Sequence, residues 1–192
     1  MLFISHRINI ISDLLNKDFC DGIEIDLRYH KDEIILNHDP FEKGEKFEDF
    51  LKEFRLNFII LNVKSEGIEE EVLRLVQKHE VKDYFFLDSS IPFMVKYINK
   101  GWTKFAVRFS EYEPIELALK FKNKIEWVWV DCFTHLPLTN ESYLQLKKHF
   151  KICLVSPELQ GHPKSMIEEF KKQIEEFEID AVCTKYPELW KN

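Results

Sequence analysis

The chain has no run of about 18 apolar residues, so no membrane-spanning helix is expected. Its start, MLFISHRINII, lacks the basic leader and long apolar core of a secretory signal. There is no excess of positive charge: 27 Lys and Arg face 34 Asp and Glu, for a net charge of −7. That balance argues against nucleic acid or an anionic membrane surface as a partner. No C-x-x-C pair occurs. Cys20, Cys132, Cys153 and Cys183 stand far apart, mostly in apolar segments, and read as buried free thiols of a reducing compartment. A cytoplasmic location is the corresponding expectation. No linker, low-complexity tract or internal repeat divides the sequence, so residues 1–192 are expected to form one domain.

What is present is bulk and alternation. Apolar residues make up 45%, with seventeen Phe, enough for a real core. Short β-branched or aromatic runs alternate with helix-like runs. Strands are expected at 2–5, 22–28, 58–64, 84–89, 104–110, 126–133, 151–156 and 180–185, with an extra strand EIILNH at 33–38. Amphipathic helix patterns cover 46–54, 68–79 and 164–177; Pro92, Pro114 and Thr139-Asn140 mark further helix starts. Eight strand-helix alternations imply parallel βαβ units that close into a compact (β/α)8 TIM barrel of the α/β class. An open doubly wound sheet is the alternative.

One stretch, GIEIDLRYHKDEIILNHDP at 22–40, sets Glu24 and Asp26 inside an apolar strand. Side chains alternate faces along a strand, and the inward face of a barrel turns polar near its C-terminal rim. By this parity Ile23, Ile25 and Leu27 face out while Glu24 and Asp26 face in. Asn62 and Lys64 oppose Ile59, Leu61 and Val63; Arg108 opposes Phe105, Val107 and Phe109. Asp88 opposes Phe85 and Leu87; Asp131 opposes Val128 and Val130; His6 and Ile4 oppose Phe3 and Ser5. Together they predict one polar mouth. Glu24 and Asp26 would stand about 6–7 Å apart along the strand, a spacing suited to a hard divalent ion or to pairing with Arg28 or Lys64. Trp127 and Trp129 share the face of Asp131 and are expected to fill the barrel. The loop PELQGHP (157–163) brings Glu158, Gln160 and His162 toward the same rim.

The run ISHR, then GIEIDLRYHKDEIILNHDP, then ILNVK resembles the glycerophosphodiester phosphodiesterase family. That family shows an early His-Arg, a G-x-x-x-E-x-D strand followed by a strand ending in His-Asp, and a strand ending in acid-x-Lys; TKYP (184–187) stands where it has a Thr-Asp-x-Pro-like turn. The resemblance implies a (β/α)8 barrel that hydrolyses phosphodiesters with a divalent cation, Mg²⁺ or Ca²⁺. It assigns His6 and His38 to acid/base catalysis, Arg7 and Lys64 to the phosphate, and Glu24 and Asp26 to the metal. The third metal position, an acid in the family, is Asn62 here. An amide oxygen still ligates such an ion but brings no charge. Lys185 stands where the family usually has Asp.

A phosphodiester resists attack because its oxygens repel nucleophiles, so cations that offset growing charge assist the reaction. Imidazole suits proton transfer near neutrality. The expected substrate is a small glycerophosphodiester-type molecule, cleaved to a phosphomonoester and an alcohol, with Arg108, Asp131 and Glu158 as candidate substrate contacts. Two alternatives stand beside this. One resembles phosphatidylinositol-specific phospholipase C, which uses two histidines without a metal. The other is a non-catalytic barrel that binds a phosphorylated ligand.

Overall fold

The computed structural model describes residues 1–16 and 20–191. Among them, eight parallel strands form a closed sheet. They are β1 (Leu2–Ser5), β2 (Gly22–His30), β5 (Phe58–Val63), β6 (Asp83–Leu87), β7 (Ala106–Phe109), β8 (Trp127–Val130), β9 (Lys151–Val155) and β10 (Ala181–Thr184). Neighbours in chain order pair side by side, and β10 returns to β1 with Leu2 to Ser5 opposite Ala181 to Thr184. The ring closes between β6 and β7 through a single bridge, Phe86 to Phe105, with the Phe86 N–H donating to Lys104 O at 2.9 Å. Helices α1 (Ile11–Leu15), α2 (Phe47–Glu53), α3 (Glu69–Lys78), α4 (Ile91–Ile98), α5 (Ile115–Lys120), α6 (Asn140–Lys147), α7 (Met166–Gln173) and α8 (Pro187–Lys191) follow successive strands. The (β/α)8 barrel expected from the alternation is the observed fold, and the open-sheet alternative falls with the β10 to β1 pairing.

The extra strand expected at 33–38 is β3 (Glu33–Leu36), antiparallel to the far end of β2. The turn joining them puts Lys31 and Asp32 at φ 48° and 65°, the left-handed pair of a tight hairpin whose twist matches its strands. A two-residue strand, β4 (Glu45–Lys46), returns along β3. The result is a short arm standing on the rim. Gly44 lets the return strand pass close to β3: a Cβ there would lie 2.1 Å from Leu36 O. Gly22 plays the same part inside the barrel, where a Cβ would lie 2.4 Å from Phe58 O.

Local sequence explains the helices. Thr139 caps α6 in a reciprocal box, accepting from Ser142 N at 3.2 Å while its own N–H donates to Ser142 Oγ at 2.9 Å. Helix α3 begins with Glu69, Glu70 and Glu71 and ends with Lys78, which complements its dipole. Pro92 lies in the first turn of α4, where a missing N–H costs nothing.

The core has two aromatic layers. Inside the barrel, Phe58, Phe85 and Trp127 meet with ring centroids 5.0 to 5.8 Å apart. Outside it, Tyr97, Trp102, Phe86 and Phe105 stack over the β6–β7 join. Trp127 thus fills the interior as expected. Strand β6 reverses the expected parity: Phe85 faces inward onto Phe58 and Trp127, while Phe86 faces the helices. Leu87 therefore shares the inward face, and regular alternation would send Asp88 outward. Asp88 instead lies at φ 60°, a left-handed turn that breaks the alternation and brings its carboxylate back to the mouth.

Candidate functional site

The polar mouth lies at the C-terminal ends of the strands. Glu24 and Asp26 on β2 point into it, 0% and 1% exposed. Their pairing partners on β5 carry the matching inward residues: Asp26 lies opposite Asn62, and Lys64 follows directly after the strand. Glu24 Oε1 accepts from Asn62 Nδ2 at 2.8 Å, and Oε2 accepts from the Arg7 backbone N–H at 2.8 Å. Arg7 makes that contact from a left-handed φ of 55°, unusual for a residue with a Cβ. His6 Nε2 stands 3.7 Å from Glu24 Oε2. Asp26 is flanked by two cations, Arg7 Nε at 3.6 Å and Lys64 Nζ at 3.7 Å.

Burial shapes the electrostatics. It is the main reason the Glu24 carboxyl is pushed up to about 7; the neighbouring Asp26 charge adds to it. Burial also leads in driving the His6 imidazole down to about 3, followed by the positive charges of Arg7, Lys185, His38 and Lys64. His6 is therefore a neutral base near neutrality. Its Nδ1, and Asn62 Oδ1, are buried polar atoms with no hydrogen-bond partner among the described residues.

His38 comes from the arm, in the turn after β3. Its Nδ1 lies 2.8 Å from Asp39 Oδ1, which fixes the ring and leaves Nε2 as the outer nitrogen. The hydrogen bond from His38 holds the Asp39 carboxyl below the usual carboxylate range. Arg28, expected as a counterion of the carboxylates, does something else. It donates to His38 O through Nε at 3.0 Å and Nη2 at 2.7 Å, and to Lys64 O through Nη1 at 3.0 Å. One guanidinium thereby ties the arm to the end of β5. Asn9 is a second residue missed by sequence reasoning. Its Nδ2 donates to Asp26 Oδ2 at 2.9 Å, and its Oδ1 accepts from Asp26 N at 2.8 Å. An amide within the apolar run INIIS was the available signal.

A belt of ion pairs continues round the rim. Lys64 Nζ donates to Asp88 Oδ2 at 3.1 Å, and Arg108 grips both Asp88 oxygens at 2.7 and 3.0 Å. Arg108 Nη1 also donates to Asp131 Oδ2 at 2.5 Å, and Gln160 Nε2 donates to Asp131 Oδ1 at 2.6 Å. Burial works against the Asp88 charge, but the hydrogen bonds and charges of Arg108 and Lys64 outweigh it and hold the carboxyl low. Arg108 and Asp131 both reach the mouth and are bonded to each other there.

Glu158 does not enter the mouth. Its Oε1 accepts from Thr184 Oγ1 at 2.6 Å and from the Lys185 N–H at 2.9 Å, while Oε2 bonds the Ser156 hydroxyl. Ser156 in turn accepts from Trp190 Nε1 at 2.9 Å. By register Thr184 lies on the outward face, since the next residue back, Cys183, pairs with inward Ile4. The expected substrate contact is thus a latch between β9, β10 and α8. His162 also turns to the backbone, with Nε2 3.1 Å from Cys132 O.

The residues that could hold a divalent cation are Glu24, Asp26 and Asn62, the last through its amide oxygen. Among the described residues no three His, Cys, Asp or Glu side chains gather at metal-holding spacing, in keeping with an amide in the third place. The residues fit a hard cation: all three are buried oxygen donors on one face, and Asn62 Oδ1 is unpartnered.

No protein-family model and no curated protein matches the sequence. Solved structures do. A protein of Agrobacterium tumefaciens assigned as a glycerophosphoryl diester phosphodiesterase superposes with a TM-score of 0.71 at 14% identity, over 98% of this chain and 95% of that one. A glycerophosphodiester phosphodiesterase from the same organism gives 0.69 at 13% identity over the whole of both chains. A glycerophosphoryl diester phosphodiesterase of Parabacteroides distasonis gives 0.69 at 14% identity, over 99% of this chain and 85% of that one. The likeness establishes a shared barrel fold along essentially the full chain.

Proposed function

We propose that this barrel is a phosphodiesterase acting on a small glycerophosphodiester-type substrate, with His6 and His38 as its proton-transfer pair. The observation that carries the reading is the convergence of residues from three separate segments. His6 and Arg7 follow β1, Glu24 and Asp26 lie on β2, and Asn62 and Lys64 lie at the end of β5; Arg28 ties Lys64 O to His38 O on the arm. The resemblance had named these same positions, and the structural neighbours bear phosphodiesterase names.

The chemistry follows from the charges. Arg7 and Lys64 neutralise the non-bridging phosphate oxygens, and Asp88, itself gripped by Arg108, holds the Lys64 ammonium at the mouth. Neutral His6 takes a proton from the attacking hydroxyl, from water or from a neighbouring substrate hydroxyl. His38, braced by Asp39, gives a proton to the departing alkoxide as the phosphorus–oxygen bond to the alcohol breaks. Water supplies the new oxygen on phosphorus and the hydrogen balance. Glu24, Asp26 and Asn62 Oδ1 would hold the divalent cation, which when bound supplies further charge stabilisation for the phosphoryl oxygens.

A second reading rests on Asp26. Two protein cations already stand within 3.7 Å of it, the arrangement expected if Arg7 and Lys64 do the neutralising alone. The deciding experiment is a screen of soluble phosphodiesters with and without Mg²⁺ or Ca²⁺, on the wild type, His6→Ala and His38→Ala. Loss of at least a hundredfold in kcat/KM for both variants, with unchanged thermal unfolding, is expected. Full activity in either variant removes the two-histidine scheme. Turnover that survives thorough chelation selects the metal-free route, and no turnover of any diester leaves a binding barrel.

A further inference from the structure

Beside the mouth lies a cavity of about 620 Å³, between the segment after β1 and the arm made by β3 and β4. Its walls include Arg7, Asn9 and Asp13 on one side and His38, Lys43 and Glu45 on the other. Arg7 and His38 thus belong to both spaces. If His38 protonates the leaving oxygen, the alcohol departs on the His38 side, and this cavity is the space that opens there. Its size falls within the range of small-ligand pockets.

The lining says what kind of alcohol fits. Among the described residues no Phe, Tyr or Trp lines it, so it offers no aromatic box for a quaternary ammonium group. Ile10 and Leu36 are the apolar side chains in its lining; the rest carry a polar or charged group, Gly44 apart. Two of the polar groups are already committed: Asn9 to Asp26, and Glu45 Oε2 to the Ile11 N–H at 2.6 Å. Asp13 lines one wall and Lys43 the other, a residue type that accepts facing one that donates. Gly44 sets how far the Lys43 wall stands from β3.

We infer that this cavity is the subsite for the leaving alcohol and that it takes a small polyol, whose hydroxyls donate to Asp13 and accept from Lys43. The inference rests on the phosphodiesterase reading. It assigns substrate choice to the arm and to the segment after β1, where neither the sequence nor the resemblance had placed it.

The test compares three diesters that share a glycerophosphoryl group and differ in the leaving alcohol: glycerol, methanol and choline. Steady-state kinetics are measured on the wild type, Asp13→Ala and Lys43→Ala, both exposed positions, with thermal unfolding as the folding control. The wild type is expected to prefer the glycerol diester. Each variant is expected to lower the ratio of kcat/KM for the glycerol diester over the methyl diester about tenfold, through KM. An unchanged ratio in both variants, or a wild-type preference for the choline diester, overturns the inference and leaves the phosphodiesterase reading standing. Failure of the wild type to turn over any of the three overturns both.

Discussion

Replacing Glu158 separates two accounts of one residue. Sequence placed it on the rim as a substrate contact; the structure makes it a latch joining β9, β10 and α8. In Glu158→Ala the Lys185 N–H loses its acceptor, and so do the hydroxyls of Thr184 and Ser156. A buried donor left unsatisfied costs about 1–3 kcal/mol, and hydrogen bonds to a charged acceptor are worth about 1.5–3 kcal/mol each. Either hydroxyl can rotate to another partner, which recovers part of this. A net loss of about 3–4 kcal/mol is expected, or roughly 8–12 °C in Tm for a chain of this size. Glu158→Gln keeps one acceptor oxygen and the shape, so it should cost about 1–1.5 kcal/mol. Urea denaturation monitored by tryptophan fluorescence reads both, and kinetics on the best diester reads the alternative. The latch account is refuted if Glu158→Ala loses less than about 1 kcal/mol while kcat/KM falls tenfold or more.

Other expectations follow from equally local geometry. Glu111 accepts from the backbone N–H groups of Phe133, Thr134 and His135; against its burial, the His135 and Thr134 N–H groups, its own N–H and the Thr134 hydroxyl hold the carboxyl down at about 2. Because the folded value is depressed, its contribution is complete above the unfolded value of about 4.5 and is lost as pH falls through about 2. Glu111→Gln should therefore be less stable than wild type at pH 7, with the gap narrowing in acid; a constant gap across a pH series of thermal melts would contradict this. Asn62→Asp adds the missing charge to the donor set and should tighten Mg²⁺ or Ca²⁺ binding by calorimetry about tenfold or more, whereas unchanged binding would place the cation away from Asn62. Gly22→Ala puts a methyl 2.4 Å from Phe58 O at the start of two paired strands, and should cost about 2–4 kcal/mol in chemical denaturation.

The barrel was legible because each strand-helix unit carries its own signal. All eight strands and the extra strand fall where alternation put them, with ends moved by up to three residues. Helices α1 and α8 were not foreseen, being five residues each, too short for a periodic face. Parity found the carboxylates of β2 and the inward residues of β5, β7 and β8, because those strands run straight to the rim. It inverted β6, where apolar residues occupy both faces and pattern cannot separate barrel interior from helix contact. Asp88 reached the mouth only through a left-handed residue, which alternation does not encode. Glu158 was misplaced for a related reason: a loop residue has no face until its backbone is known. Partners such as Arg28 and Asn9 act through backbone groups or across loops, which no sequence spacing reveals.

The join between β6 and β7 is the thinnest in the ring. Every residue assigned to proton transfer or cation holding comes from β1, β2, the arm or β5, on one side of that join. Across that join, Arg108 on β7 reaches Asp88 at rim level and fastens the two strands above the backbone bridge. The backbone ladder is thinnest along that seam, whereas β2 and β5, which carry the carboxylates and Asn62, are paired at six successive positions. Amide exchange should be quickest at Phe86 and its neighbours across the seam.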